Sequence, residues 1–202
     1  MVEYTLPNFI PTMETLAALF GNVPKIKILR LFLFNNTVPF SARDVVNRTT
    51  CKGPVVLREL NVLVKADIIR KRHGAKGLVY LLNEKFPYLD PLKNLLTVAS
   101  IQADESLAKR FGSSGRIKLI IAAGVFIQNW ESRVDLLIVG DDLNITKIET
   151  IIKSIESEIG KEVAYSAFET QDFQYRIGIH DRLVRDILDY PHVTLLDRLG
   201  VV

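Results

Sequence analysis

Residues 52–82 read KGPVVLRELNVLVKADIIRKRHGAKGLVYLL, and the two halves of this stretch follow different periodicities. In the first half, apolar residues recur at helical spacing, at Val56, Leu60, Leu63 and Val64. Pro54 lies near the start of this helix, where the missing N–H of proline costs nothing. In the second half, two β-rich runs, residues 68–71 and 78–82, flank the turn-forming HGAKG. The stretch therefore predicts a helix followed by a hairpin.

Two further helices are predicted upstream of this stretch. PKIKILRLFLFNN, residues 24–36, has a wide apolar face that suits the central helix of a small bundle. SARDVVNRT follows, with Ser41 as the N-cap and Val45 and Val46 as a short buried stripe. Helix, short helix, longer helix and basic hairpin, in this order, are typical of a winged helix-turn-helix. We expect residues 1–86 to form such a domain.

The predicted domain carries basic residues on the two elements that would touch DNA. In this architecture the third helix enters the major groove, where exposed side chains near its N-terminus reach base edges. The hairpin, or wing, lies against phosphates and supplies salt-dependent affinity. The exposed face of the predicted helix carries Lys52, Val55, Arg58 and Asn61, and the wing carries Arg70, Arg72, His73 and Lys76.

Three alternatives stay open for this surface. Its charges are compatible with a solvated face of no specific function, which is the usual role of charged residues. Glu59 and Asn61 fit plain surface positions or packing against the second helix. Domains of this kind also use the same surface to contact proteins, so a protein partner is the second choice.

Only the first half of the chain has a positive net charge. Residues 1–100 hold 14 Lys and Arg against 7 Asp and Glu, a net charge of +7. Residues 101–202 hold 12 against 16, a net charge of −4. A basic half beside an acidic half indicates that only the first meets a polyanion.

The composition predicts a soluble, cytoplasmic protein without a metal site. No stretch approaches the roughly 18 apolar residues of a membrane span, and the N-terminal sequence lacks the profile of a secretory signal. Cys51 is the single cysteine, which excludes an internal disulfide and fits a reducing compartment. His73, His180 and His192 are far apart and have no partner at metal-ligand spacing, so we expect no metal and no cofactor.

Residues 87–112 are predicted to form a connector helix, and residues 113–202 an α/β domain. The connector has an apolar face, made by Leu92, Leu95, Leu96 and Val98, that suits a dimer seam and equally suits packing on its own domain. Beyond it, strand-like and helical segments alternate: RIKLIIAAGVF, VDLLIVG, NITKIETIIKSIESEIG, EVAYSAF, TQDFQYRIGIHDRLVRDILDY and HVTLLD. This alternation predicts a small mixed sheet. The predicted fold class is two-domain α+β.

The chain resembles prokaryotic winged-helix regulators fused to a minimal nucleotidyltransferase domain of the polymerase-beta-like superfamily. KGPVVLREL is similar to that family's recognition helix. VDLLIVGDDLNITKIETIIKSIESEIGKEVAY is similar to its catalytic strand, the following helix and the next strand, and DILDYPHVTLLD fits its C-terminal pattern. The resemblance implies a nucleotidyltransferase-like fold for residues 113–202.

The chain departs from this family at the residues that carry its chemistry. Active relatives hold nucleotide phosphates on a Gly-Ser turn and bind divalent metal through an Asp-x-Asp pair on the next strand. In this sequence Gly124 matches the glycine, but Val125 stands at the serine position. Arg133 stands at the first carboxylate position, and only the second carboxylate remains, as Asp135. A guanidinium repels Mg²⁺, so the resemblance implies a degenerate site without catalysis.

Asp135 and Arg133 keep other interpretations. Asp135 is preferred as a residue that caps or orients its loop, or that pairs with Arg133 or another nearby base. A guanidinium binds phosphate well without a metal, so Arg133 supports the hypothesis of a nucleotide or other anionic effector.

Taken together, these features predict a DNA-binding transcription regulator that is not an enzyme. Its partner would be double-stranded DNA, and it would act as a homodimer because winged helices often recognise two half-sites. The second domain would serve dimerisation or effector sensing. The alternatives are an active nucleotidyltransferase and an antitoxin-like adaptor that binds protein.

Overall fold

The structure is a computed structural model that describes residues 13–74, 77–98, 105–129 and 132–201. Helices and strands both contribute, so the chain is mixed α+β, as predicted. It divides into two compact units, the first comprising residues 1–100 with 156–161 and the second residues 101–155 with 162–202. None of the described helices is long and apolar enough to cross a membrane.

The first unit packs helices around the base of a hairpin. Its elements are α1 (Met13–Phe20), α2 (Val23–Phe34), α3 (Ala42–Thr49), α4 (Gly53–Lys65), β1 (Ile69–Gly74), β2 (Gly77–Leu82) and α5 (Leu89–Val98). They share one apolar core, in which Phe32, Leu60 and Leu63 are almost completely buried. Helix α1 has no counterpart among the predicted helices, although its Leu16 is fully buried in this core.

Side chains at the helix starts explain where α2 and α3 begin. The Asn22 side chain accepts a hydrogen bond from the Lys25 backbone N–H at 2.8 Å. Ser41 is the N-cap of α3, as predicted, and forms a capping box with Asp44: its hydroxyl accepts from the Asp44 N–H at 3.2 Å, while the Asp44 carboxylate accepts from the Ser41 N–H at 2.8 Å. These hydrogen bonds to Ser41 lower the pKa of Asp44. Helix α4 has Pro54 in its first turn.

The hairpin is antiparallel and longer than the sequence pattern indicates. Its register runs from Ile69 opposite Leu82 to Gly74 opposite Gly77, so β1 continues three residues past the predicted end at Lys71. The prediction was wrong here because the whole of HGAKG was taken as the turn, although the backbone of His73 and Gly74 pairs with β2 whatever their side chains are. At the base of the hairpin, Phe40 bridges Tyr80 on the free edge of β2.

Helix α5 packs against the shared core of the first unit. Leu96 is fully buried in the core of that unit, and Leu92 packs against the same core, whereas Leu95 is exposed. The buried Arg30 of α2 donates to the Leu96 carbonyl at 3.3 Å, and desolvation by burial lowers the pKa of Arg30 to about 10. Of the two roles predicted for the connector, packing on its own domain is therefore supported. The side chain of Val98 lies outside the described part of the structure.

The second unit contains a four-stranded mixed sheet with the strand order β5-β4-β3-β6. Its elements are α6 (Glu105–Arg110), β3 (Arg116–Ala122), β4 (Leu136–Asp141), α7 (Ile145–Ile159) up to residue 155, β5 (Tyr165–Glu169), α8 (Thr170–Gly178), α9 (Arg182–Asp189) and β6 (Val193–Asp197). Strand β3 runs antiparallel to both β4 and β6, and β4 runs parallel to β5 through the crossover helix α7. Leu119, Leu137 and Phe173 are fully buried between this sheet and α8.

Two segments of the second unit depart from their predicted boundaries. The predicted strand RIKLIIAAGVF ends at Ala122, because the chain turns into a short 3₁₀ helix at Gly124–Ile127. The predicted helical segment from residue 170 to 190 is two helices, since His180 takes a left-handed conformation with φ 56°. Asp181 then caps α9 by accepting from the Leu183 and Val184 N–H groups at 3.0 and 3.2 Å.

Candidate functional site

Exposed cations cover the outer face of α4 and the first strand of the hairpin. We call this set the basic surface; it consists of Lys52, Arg58, Lys65, Arg70, Lys71 and Arg72, all of which are exposed. Among the other predicted contact residues, Asn61 and His73 are exposed next to it and Val55 is half-buried. Lys76 lies outside the described residues. The structure thus leaves the predicted residues that it describes exposed or half-buried on α4, at its start and on β1.

The outer face of α4 carries a regular polar stripe. Arg58, Asn61 and Lys65 follow one another at spacings of three and four residues, which places them on one side of the helix. The opposite side is buried through Val56, Leu60 and Leu63. Lys65 was not among the predicted contact residues, although this spacing was the signal that would have identified it.

The outer half of the hairpin extends beyond the core and is exposed to solvent. Successive strand residues point to opposite faces, yet every residue of β1 after Ile69 is exposed. In β2 only Tyr80 and Leu82 are buried, and Gly77 and Leu78 at the far end are exposed. Both faces of the outer half are therefore in solvent, and the consecutive cations of β1 are presented on two sides of a narrow ribbon.

A side-chain contact joins the hairpin to α4. Lys71 Nζ donates to Asn61 Oδ1 at 3.2 Å, which holds the exposed polar face of the helix beside the ribbon. Arg70 pairs with Asp67 at 3.3 Å. Lys52 and Arg72 have no ion pair with any described residue. Lys71 was also missing from the predicted contact residues. Its position within the basic run RKRH, between two residues that were predicted, could have identified it.

Glu59 is a buried carboxylate on α4 that contacts three neighbouring polar side chains. Its residue is only 2% exposed, and its Oε1 accepts from Asn22 Nδ2 at 3.1 Å and from Arg58 Nη2 at 3.0 Å. Lys25 Nζ lies 3.6 Å from its Oε2. Glu59 thus packs against the start of α2, rather than lying at the surface or against α3. It also restrains the Arg58 guanidinium, whose side chain remains 66% exposed.

Asp135 closes a corner of the second unit, which we call the Gly124–Asp135 corner. The Asp135 residue is 7% exposed. Its Oδ1 accepts from the Val125 N–H at 2.8 Å, and its Oδ2 accepts from the Ala164 N–H at 2.8 Å. Gly124 has φ 51°, and a Cβ at this position would overlap Asp135 Oδ1. Glycine is therefore required both by its backbone conformation and by the packed carboxylate.

The backbone N–H groups of the corner are engaged within it. Val125 N donates to Asp135, Phe126 N donates to the Ala123 carbonyl at 3.0 Å, and Asn129 N donates to the Gly124 carbonyl at 2.9 Å. A turn that holds phosphate has to point such groups at its ligand. Here a carboxylate of the chain itself takes that position, so Asp135 orients the loop, the role preferred for it from the sequence.

Arg133 lies beside this corner and pairs with another carboxylate. Its Nη1 lies 3.6 Å from Asp186 Oδ2 in α9, and its side chain is 67% exposed. Both residues line a cleft of about 610 Å³ together with Asp181 and Arg182. Among the described lining residues, the charges of two arginines are balanced by those of two aspartates. Arg133 is thus paired with Asp186, not with Asp135.

No group of three or more His, Cys, Asp or Glu side chains in the described ranges is arranged to hold a metal ion. Cys51 is half-buried, and its Sγ lies 3.4 Å from the Thr49 carbonyl oxygen. No protein-family model, curated protein or solved structure matches the chain. Function has therefore to be argued from the geometry of the basic surface and of the Gly124–Asp135 corner.

Proposed function

We propose that the chain is a DNA-binding transcription regulator whose first unit acts as a winged helix. In this proposal α3 and α4 are the helix-turn-helix, and β1 and β2 are the wing. The Phe40–Tyr80 bridge supports this interpretation, because it places a third backbone segment against the base of the hairpin. So does the order of the elements, in which α2, α3 and α4 precede the hairpin.

The observation that carries the proposal is that exposed cations stand on two adjacent elements, α4 and β1, which the Lys71–Asn61 contact joins. Residues 52–74 contain six Lys and Arg and two acidic residues. Of the two acids, Glu59 is buried and Asp67 is paired with Arg70. Glu59 also pairs with Arg58 at 3.0 Å, so four of the six cations have no acidic partner within this stretch, and a phosphate backbone is the partner that such residues attract.

In this proposal α4 contacts base edges and the hairpin contacts phosphates. Arg58 and Asn61 lie on the outer face of α4, and both can form paired hydrogen bonds with base edges in the major groove. Arg58 is already held by Glu59, so less conformational freedom would be lost when it binds. Lys71 and Arg72, on the ribbon, would contact phosphates and contribute affinity with little sequence information.

Within the same proposal the second unit is not a nucleotidyltransferase and serves dimerisation or effector sensing. The support for this is the Gly124–Asp135 corner, where both carboxylate oxygens are bound to backbone N–H groups. A metal-binding carboxylate needs its oxygens directed towards an open site. The regulator would act as a homodimer on paired half-sites.

The experiment is a selection of bound fragments from genomic DNA by the purified full-length protein at near-physiological salt, repeated with Arg58→Ala. We expect a discrete, preferably palindromic motif. The variant should bind it about tenfold or more weakly, the loss of roughly 1–3 kcal/mol that one base-reading pair contributes. Arg185→Ala, which removes an exposed arginine of α9 in the second unit, is the matched control and should keep both motif and affinity.

A second candidate is an adaptor that binds protein through the same helix. It is favoured by Leu57 and Val62, which are 48% and 41% exposed on α4. Salt-sensitive binding without sequence preference, unchanged in Arg58→Ala, would contradict the regulator proposal. Leu57→Ser would then be the variant to test for loss of a protein partner.

A further inference from the structure

A second cleft of the second unit, of about 760 Å³, lies at the opposite end of β3 from the Gly124–Asp135 corner. It is lined by residues of α6, of the start of β3, and of β6 with the residue that follows it. Four of its lining residues are basic: Lys109, Arg116, Lys118 and Arg198. We call it the cationic cleft.

The charge of this cleft is unusual for its surroundings. Among the residues that the structure describes, its lining contains four basic and no acidic residues, although residues 101–202 carry a net charge of −4. The cleft beside Arg133 differs, because its arginines are matched by aspartates. A third of the basic residues of this half, four of twelve, thus converge on one concave surface. Such a concentration raises the local concentration of anions.

The backbone brings two of these cations together. The Arg198 N–H donates to the Lys118 carbonyl at 2.7 Å, so the end of β6 lies directly against β3 at this point. The pairing of β3 with β4 is irregular between Ile117 and Leu119, and Lys118 has no opposite residue on β4. Bulges of this kind redirect a side chain and are frequent next to functional sites.

Two cations of the cleft, Arg116 and Arg198, remain accessible to a ligand. Arg116 and Lys118 pair with Asp142 and Asp141, each at 2.8 Å, but neither aspartate lines the cleft and the Arg116 side chain is 72% exposed. The exposed Arg116–Asp142 pair contributes about 1 kcal/mol or less, so a multivalent anion competes with it readily. The Arg198 side chain is exposed and has no ion pair with any described residue.

We propose that the cationic cleft binds a small molecule that carries linked phosphate groups, such as a nucleoside triphosphate. Its volume falls within the range of about 300–1,000 Å³ that is usual for small-molecule sites. Guanidinium and ammonium groups are the side chains that recognise phosphate without a metal. Ala108, Leu195 and Leu196 add apolar lining that suits a nucleobase. This site goes beyond the proposed function and does not rest on DNA binding.

Isothermal titration calorimetry of the full-length protein without DNA tests the proposal. ATP and inorganic tripolyphosphate are titrated separately at low salt in the presence of EDTA. We expect saturable binding of both, weakened about tenfold or more in Arg198→Gln, because a charge-assisted contact to phosphate is lost. Arg198→Lys should retain most of the affinity and shows that the position tolerates substitution. If ATP binds more tightly than tripolyphosphate, the base also contributes; if both bind equally, the phosphates alone are recognised.

Arg72→Gln and Arg185→Gln are the controls, since one lies on the basic surface and the other on α9. Both should bind ATP as the wild-type protein does. The proposal is overturned if neither anion binds at millimolar concentration, if Arg198→Gln binds like wild type, or if Arg72→Gln weakens binding as much as Arg198→Gln does. The last result would assign the binding to the basic surface, and none of the three would count against DNA binding.

Discussion

The basic surface and the Gly124–Asp135 corner use charged groups in opposite ways. On the basic surface, Lys52 and Arg72 extend into solvent and have no ion pair with the described residues. At the corner, Asp135 is buried and both of its oxygens accept hydrogen bonds from the backbone. We expect the first region to keep its stability when its charged groups are removed and the second to lose stability. Charged residues that are dispensable for the fold are the better indication of a partner.

The largest effect is expected from Asp135→Ala, which breaks the corner. The substitution leaves the Val125 and Ala164 N–H groups without their carboxylate acceptor. Since each unsatisfied buried donor costs roughly 1–3 kcal/mol, the free energy of unfolding should fall by about 3 kcal/mol. Urea denaturation followed by circular dichroism measures this change.

Asp189→Ala is the matched control, because Asp189 is an exposed carboxylate of the same unit that pairs with Arg185. Its free energy of unfolding should change by less than about 0.5 kcal/mol. Gly124→Ala should resemble Asp135→Ala, since its Cβ would displace the same carboxylate. An Asp135→Ala protein as stable as wild type would show that the carboxylate is not needed by the fold, and it would return Asp135 to the candidates for chemistry.

A middle-sized effect is expected from replacing Arg70, Lys71 and Arg72 by alanine together. These residues stand on the exposed outer part of the hairpin, so the free energy of unfolding should hardly change. If all three contact phosphates, the slope of log affinity for DNA against log salt should become shallower by about 2.7, which is 0.9 for each contact. Fluorescence anisotropy over a range of salt concentrations measures the slope.

The control for the hairpin variant removes the same number of charges from the second unit, at Lys153, Arg182 and Arg185. Net charge alone would change both slopes equally. A hairpin variant whose slope equals that of this control would contradict the role of β1 as a phosphate contact and favour a protein partner for the basic surface.

The smallest effect is expected from Asp44→Asn, which alters a carboxylate that caps a helix at the surface. Asp44 accepts from the Ser41 N–H and hydroxyl, much as Asp135 accepts from two N–H groups, but it is exposed. The free energy of unfolding at pH 7 should therefore fall by only about 1 kcal/mol. The pKa of Asp44 is lowered in the folded state by its bonds to Ser41.

The sign of the pH dependence follows from that lowered pKa. A depressed folded-state pKa stabilises the fold above the unfolded-state pKa of about 3.9, and this stabilisation is lost as the pH falls through the folded-state value. The difference between wild type and Asp44→Asn should consequently shrink from pH 7 towards pH 2 in denaturation experiments. A difference that is constant with pH would show that the carboxylate charge does not stabilise the cap.

The parts of the fold that could be predicted are those set by neighbours in sequence. The helical spacing of Val56, Leu60 and Leu63 is sufficient to identify α4 and its buried side. Ser41 identifies the start of α3, because a capping residue acts within one turn. Several of the contact residues on α4 and β1 could be named for the same reason: their exposure follows from the periodicity of a single element.

The remaining features depend on residues that are distant in sequence. The end of β3 could not be found in the apolar run IIAAGVF, because the chain turns where Asp135, ten residues after Val125, binds its N–H. The burial of Glu59 depends on Asn22, 37 residues earlier. The cationic cleft requires β6 to lie beside β3, so that Arg198 meets Lys118. The local sequence pattern does not show which distant residues pair, so none of these features could be predicted from it.

Gly124 and Asp135 have a consequence for how this chain changes over evolutionary time. Each constrains the other: a side chain at position 124 would collide with the carboxylate, and without the carboxylate the turn loses its backbone acceptor. Purifying selection for folding alone would preserve the pair in every descendant, whether or not phosphoryl transfer ever took place there. A glycine followed by an aspartate at this spacing is therefore explained by folding alone and is no evidence for catalysis.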